Sequence, residues 1–154
     1  MPRIQNVSRY DVESGSHLAT DSGRKVVLIQ IADPDTTHPT PAKSFEKIFK
    51  FKFLDIEEDQ ECPDQWRPSA DDAYYIASIL LTCLQMDYDL VVHCHAGVCR
   101  SGAVAEVGEM LGFEYAGSYK QPNVALKKHL MNALGLSFNP EESPFNQMEE
   151  AKEP

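Results

Sequence analysis

The fold is decided by residues 89–101, which read DLVVHCHAGVCRS. The first five of them, Asp89 to His93, form a short valine-rich run, which is typical of a buried strand in a parallel sheet. After Arg100, apolar side chains follow at positions 104, 107, 110 and 111, and this spacing predicts one face of a helix. A strand therefore delivers Cys94 to a short loop that ends where a helix begins.

This loop predicts a site for an oxyanion. Its backbone N–H groups can converge on one anion, and the start of the helix adds roughly half a positive charge. The planar guanidinium of Arg100 can hold two phosphoryl oxygens at once. The same positive field favours ionisation of the Cys94 thiol, which makes it a nucleophile, and we expect Ser101 to donate its hydroxyl to that sulfur. The predicted binding residues are His95, Ala96, Gly97, Val98, Cys99 and Arg100.

The segment from His93 to Ser101 resembles the signature of the cysteine-dependent protein tyrosine phosphatases, especially the dual-specificity branch. A predicted short N-terminal strand with Ser8-Arg9 is also similar to that of small bacterial and viral members. Every fixed position of the pattern His-Cys-x-x-Gly-x-x-Arg-Ser is matched. The resemblance implies hydrolysis of phosphotyrosine through a phosphocysteine intermediate, with no metal or other cofactor. It leaves open whether phosphoserine and phosphothreonine are also substrates, because only a shallow cleft lets these shorter side chains reach the thiol.

One position departs from the common pattern, because Cys99 stands where many dual-specificity enzymes have serine. A second thiol in the loop could form a disulfide with Cys94 after oxidation and protect it from irreversible steps. The alternative is that Cys99 is a small apolar filler, a common role of free cysteine.

The resemblance further implies an aspartic acid that protonates the leaving oxygen and later activates water. The alternation in residues 49–55 predicts a strand that ends near Asp55, and a helix from Ser69 to about Met86 follows it. With the strand before Cys94 this makes a βαβ unit, so Asp55 and Cys94 leave the sheet at the same edge. Asp55 is therefore the first candidate for the acid.

The stretch between Asp55 and Cys94 is longer than in many compact family members, so Asp59 and Asp64 remain alternative acids. The alternative for the acidic residues of this stretch is a solvated loop, and most of these residues are expected to be solvated: Glu57, Glu58, Asp59 and Glu61.

Two residues are candidates for supporting the site. Asn123 follows Gln121-Pro122 at the start of a predicted helix whose inward face is Val124, Leu126, Leu130 and Leu134. In the family a Pro-Asn near such a helix braces the phosphate-binding loop, but an ordinary N-cap would look the same. His93 either orients the backbone and the thiol or is a buried histidine of the core.

Length and composition predict one α/β domain. With 154 residues and 42% hydrophobic content, we expect a phosphatase domain over residues 1–139 and an acidic, mobile tail over 140–154. The domain should contain a twisted, mostly parallel sheet of four to five strands flanked by helices, with the Cys-x5-Arg loop at the carboxyl edge of the sheet.

The partner is expected to be a phosphorylated protein or peptide. A formal charge of −10 argues against general nucleic-acid or anionic-membrane binding, and a loop without lysine argues against a highly charged lipid substrate. The four cysteines have no framework spacing and the chain shows no signal segment, so a cytoplasmic protein is expected. Adjacent loop residues point in different directions, so His93, Cys94, His95 and Cys99 are not expected to bind a metal.

Two other kinds of function are compatible with these residues. Arsenate reductases and sulfurtransferases also use a cysteine in an anion-binding loop. A phosphate-recognition module would keep Cys94 and Arg100 but lack a working acid.

Overall fold

The chain forms a five-stranded sheet flanked by helices, as seen in a computed structural model that describes residues 1–18 and 23–136. The strands are β1 (Arg3–Ser8), β2 (Val26–Ala32), β3 (Lys47–Lys52), β4 (Asp89–Cys94) and β5 (Glu114–Tyr115). The helices are α1 (Arg9–Ser14), α2 (Ala70–Met86), α3 (Arg100–Leu111) and α4 (Val124–Ala133), with a 3₁₀ turn at Asp64–Trp66. The tail predicted over 140–154 lies outside the described residues.

The strand order is β3-β2-β4-β1-β5, and every pairing is parallel. The predicted parallel sheet of four to five strands is therefore confirmed. All carboxyl ends meet at one edge, where Cys94 is the last residue of β4 and pairs in register with Ser8 of β1. The valine-rich run became the central strand, and all six of its residues are buried.

The core has a large and a small part, one on each face of the sheet. The large part packs α2 and α3 against β4, and α4 against these two helices, through side chains such as Leu80, Val92, Val104 and Leu126. The small part packs Val12 of α1 against Val91 and the neighbouring strand β2. Cys94 belongs to the large part of the core. The helices that follow residues 95–99 are therefore packed directly beneath these residues.

Two details differ from the sequence prediction: the end of one strand and the exposure of one side chain. Strand β3 ends at Lys52 and not near Asp55, because the N–H of Leu54 donates to Trp66 O and the chain has left the sheet. Val124 is 42% exposed instead of facing inward, whereas Leu126, Leu130 and Leu134 are buried as expected. Val124 is the first residue of α4, and its backbone N–H donates a hydrogen bond to Glu57 in a neighbouring loop. No helix in the described ranges is long and apolar enough to cross a membrane.

Candidate active site

The Cys94 loop, residues 95–99 between β4 and α3, is held in place because its carbonyl groups accept hydrogen bonds from other parts of the chain. Its hydrogen bonds run from Arg9 N to His95 O (3.2 Å), Asn6 Nδ2 to Gly97 O (2.7 Å), Gln121 N to Val98 O (3.1 Å) and Asn123 N to Cys99 O (3.0 Å). In contrast, the N–H groups of residues 96–99 have no hydrogen-bond partner within residues 1–18 and 23–136. This polarity, with bound carbonyls and free N–H groups, suits an oxyanion.

Gly97 lets the loop pack closely against the end of β1. Its φ is +77°, and a Cβ added there would lie 2.3 Å from the carbonyl carbon of Val7. Only glycine combines the left-handed conformation with this approach to the end of β1.

Cys94 lies below the loop and is 2% exposed. Its Sγ is 3.2 Å from Oγ of Ser101, at the start of α3. Cys94 lines a cavity of about 500 Å³ together with His95, Asp33 and Thr36. The thiol is thus buried but adjoins an open space at the carboxyl edge of the sheet.

Arg100 is fixed by a residue that the sequence did not single out. Its Nη1 donates to Asp33 Oδ1 at 2.7 Å and to Phe53 O at 2.8 Å. Its Nε is buried and has no partner in the described part of the chain. Asp33 follows β2 at the same sheet edge as Cys94, and this position was the signal that could have identified it.

Of the three candidate acids, Asp55 is the one in contact with the loop. Its Oδ1 accepts a hydrogen bond from Asn123 Nδ2 at 2.8 Å. Burial raises the pKa of Cys99, and the neighbouring Asp55 carboxylate raises it further. Asp59 lies exposed in a turn, and the fully exposed Asp64 pairs with Arg67 at 3.8 Å.

Known structures share this architecture. The chain is similar to the human tyrosine phosphatase-like serine/threonine/tyrosine-interacting protein, with a TM-score of 0.50 and 14% identity over 94% of this chain and 87% of that one. It is also similar to a point variant of human DUSP28, with a TM-score of 0.51 and 11% identity over 99% of this chain and 90% of that one. The chain has the fold of the cysteine-dependent tyrosine and dual-specificity phosphatases. No family model and no curated protein sequence matches it.

Within this phosphatase fold, Asn123 is both an N-cap and a brace. Its Oδ1 accepts from Leu126 N at 2.8 Å, which caps α4. Its Nδ2 donates to Asp55 and to Ile56 O at 3.0 Å, and its N–H donates to Cys99 O. Asn123 thus caps α4 with its side chain and lies between Asp55 and Cys99.

His93 makes no bond to the thiol. It is 1% exposed, and its Nδ1 lies 3.4 Å from the carbonyl oxygen of Cys94. Burial lowers its pKa to about 4, so the imidazole is neutral at pH 7 and brings no positive charge to Cys94.

Two further residues of the phosphatase fold support the site and were not predicted to do so. Buried Asn6 donates to Tyr119 O at 2.7 Å as well as to Gly97 O, and it accepts from Tyr115 Oη at 2.6 Å. Its place near the end of β1, at the sheet edge that carries Cys94, was the signal for it. Most acidic residues of the stretch after Asp55 were expected to be solvated; Glu57 is the exception, because its carboxylate accepts hydrogen bonds from the N-terminus of α4.

All four cysteines of the chain are free. Across the described ranges, no group of three or more histidine, cysteine or acidic side chains is arranged to hold a metal ion.

Proposed function

We propose that this chain is a phosphoprotein phosphatase that hydrolyses phosphotyrosine through a phosphocysteine intermediate. One observation carries the proposal: the free N–H groups of residues 96–99 and the unpartnered Nε of Arg100 belong to the loop that follows Cys94. N–H groups without a protein partner at the start of a helix, beside a buried guanidinium nitrogen that also lacks one, favour a bound anion. The phosphate of a substrate provides that anion.

In the first step the thiolate of Cys94 attacks phosphorus. An S–P bond forms while the bond from phosphorus to the tyrosyl oxygen breaks. Asp55 gives its proton to the leaving oxygen, so that a neutral phenol departs. The N–H groups and Arg100 stabilise the charge that develops on the phosphoryl oxygens.

In the second step water attacks the phosphocysteine, and the Asp55 carboxylate accepts a proton from it. The S–P bond breaks, inorganic phosphate forms and Cys94 leaves as thiolate. The Ser101 hydroxyl, 3.2 Å from Sγ, can donate to the departing sulfur and stabilise its negative charge.

The test uses p-nitrophenyl phosphate and a phosphotyrosyl peptide in the presence of a chelator. We expect turnover that vanadate blocks and that Cys94→Ser abolishes. Asp55→Ala should lower peptide turnover about 100-fold or more, the usual size of a general-acid effect. Asp59→Ala and Asp64→Ala serve as matched controls and should retain turnover; if Asp55→Ala also retains it, Asp55 is not the acid.

A phosphate-recognition module is the second candidate. It is favoured by the ion pair between Arg100 and Asp33, since part of the guanidinium is already engaged by the protein itself. Tight binding of a phosphotyrosyl peptide by the wild-type chain, without any turnover, would support the module over the enzyme.

The choice among phosphorylated residues is tested with three peptides of one sequence that carry phosphotyrosine, phosphoserine or phosphothreonine. We propose phosphotyrosine as the preferred substrate. Equal kcat/KM for all three would instead indicate a shallow, dual-specificity site.

A further inference from the structure

The segment that carries Asp55 is folded on itself. We name residues 53–67, between β3 and α2, the acid loop. The N–H of Leu54 donates to Trp66 O at 2.7 Å, and Arg67 donates through Nη1 to Glu57 O at 3.3 Å and through Nη2 to Gln60 O. These bonds join the two ends of the acid loop, so it can move as a unit and not only residue by residue.

Glu57 attaches this unit to α4. Its Oε2 accepts from Val124 N at 2.9 Å, and its Oε1 accepts from Ala125 N at 2.8 Å. The first N–H groups of a helix have no partner within the helix, and its N-terminus favours a negative charge. A single carboxylate therefore satisfies two such groups and the helix dipole at once.

The N-terminus of α4 also contacts Asp55 and the Cys94 loop. Asn123 donates to Asp55 and Ile56 on one side, and its backbone N–H donates to Cys99 O on the other. The N-terminus of α4 is thus the point at which the acid loop and the Cys94 loop are joined. Glu57 contributes to this junction without itself touching Asp55 or Cys94.

We propose that Glu57 is a positioning residue that keeps Asp55 beside the Cys94 loop by clamping the acid loop to α4. The role of Asp55 rests on the phosphatase activity proposed above, whereas the clamp itself does not. With Glu57 intact, Asp55 stays beside the leaving oxygen. Without Glu57, Asn123 is the remaining bond from α4 to Asp55, so the part of the acid loop beyond the buried Phe53 shifts more often and the proton is delivered less often.

The kinetic test compares two aryl phosphates whose phenols differ in acidity. A very acidic phenol leaves without protonation, whereas ordinary phenol requires it. The constant to compare is kcat/KM, because it reports the step in which the phenol leaves and not the hydrolysis of the phosphocysteine, which both substrates share. Glu57→Ala should lower kcat/KM for phenyl phosphate about tenfold or more, a part of the roughly 100-fold effect of losing the acid, and should change kcat/KM for difluoromethylumbelliferyl phosphate less than about twofold. Glu57→Gln, which can accept only one of the two bonds, should fall between wild type and Glu57→Ala.

Glu58→Ala is the matched control. The neighbouring Glu58 is exposed, and its carboxylate lies 3.8 Å from Lys128 Nζ. Its removal changes the charge of the acid loop by the same amount but breaks no bond to the helix N-terminus. Both substrates should be turned over as by wild type; equal effects of Glu57→Ala and Glu58→Ala, or equal losses on the two substrates, would overturn the positioning role.

A second readout does not depend on activity. Trp66 is the single tryptophan of the chain, lies in the acid loop and is 39% exposed. Acrylamide should quench its fluorescence more strongly in Glu57→Ala than in wild type or Glu58→Ala. Unchanged quenching would overturn the clamp even in an active enzyme, whereas increased quenching in a chain without turnover would support the clamp and contradict the phosphatase.

Discussion

Asp33 fixes Arg100 through a single guanidinium nitrogen. Nη1 donates both to Asp33 Oδ1 and to Phe53 O, while the buried Nε has no protein partner among the described residues. A side chain that is already held in place loses little conformational freedom when it binds a ligand. Asp33 therefore prepares Arg100 for an anion, although a carboxylate near an anion site also repels the ligand.

We predict that the ordering of Arg100 by Asp33 strengthens anion binding more than the negative charge of Asp33 weakens it. Asp33→Asn should therefore weaken inhibition by vanadate. The Asp33 carboxylate is 36% exposed, so solvent reduces the contribution of its ion pair to about 1 kcal/mol, or about fivefold in the inhibition constant. Asp35→Asn is the control, because Asp35 lines the same cavity and its removal changes the net charge equally. Tighter vanadate binding by Asp33→Asn, or the same change in both variants, would contradict the prediction.

At the level of elements, periodic patterns found β4 and the helices α2, α3 and α4, but not the short elements α1 and β5. The valines of β4 and the apolar spacing of α2 were read correctly, and Ser69 caps α2 as its spacing indicated. The end of β3 was misplaced because Phe53 continues the apolar pattern into the core although the next residue has left the sheet. An apolar pattern reports burial, and burial does not require a strand.

The polar links between elements could not be predicted in this way. Arg100 and Asp33 are 67 residues apart, and Asn6 and Gly97 are 91 apart. No local pattern encodes such pairs, because they depend on which strand ends adjoin in the finished sheet. The residue types of the Cys94 loop were recognisable from the sequence, whereas the groups that hold the loop became visible only with the fold.

The contact between the Cys94 loop and β1 gives a prediction for Gly97→Ala. The left-handed φ alone costs an alanine about 1 to 2 kcal/mol, and the added Cβ must also displace the loop from Val7. Gly23→Ala is the control, because Gly23 has φ +85° but no atom within 4 Å of an added Cβ. Urea unfolding should show a larger loss for Gly97→Ala than for Gly23→Ala, and phosphatase turnover should fall to background only in Gly97→Ala. Equal losses in both variants would show that the contact with Val7 is unimportant.

For the molecule as a whole, the core keeps two ionisable side chains neutral, one in α2 and one in β4. Burial raises the pKa of Cys83 in the core to about 12 and lowers that of His93 in β4 to about 4. Such groups link the stability of the fold to pH, because unfolding releases a proton from Cys83 at high pH and lets His93 take one up at low pH.

His93 sets the direction of this dependence below neutral pH. Between its folded pKa of about 4 and the ordinary value of 6.5, the unfolded chain binds a proton that the folded chain does not. The stabilisation is therefore complete above pH 6.5 and is lost as the pH falls toward 4, by about 1.4 kcal/mol per unit and about 3 kcal/mol in total. Urea unfolding of wild type and His93→Gln from pH 7 to pH 4.5 measures it, and the wild type should lose stability more steeply. Burial also lowers the pKa of His17 and His38, but these residues are present in both proteins, so parallel slopes would mean that His93 titrates normally.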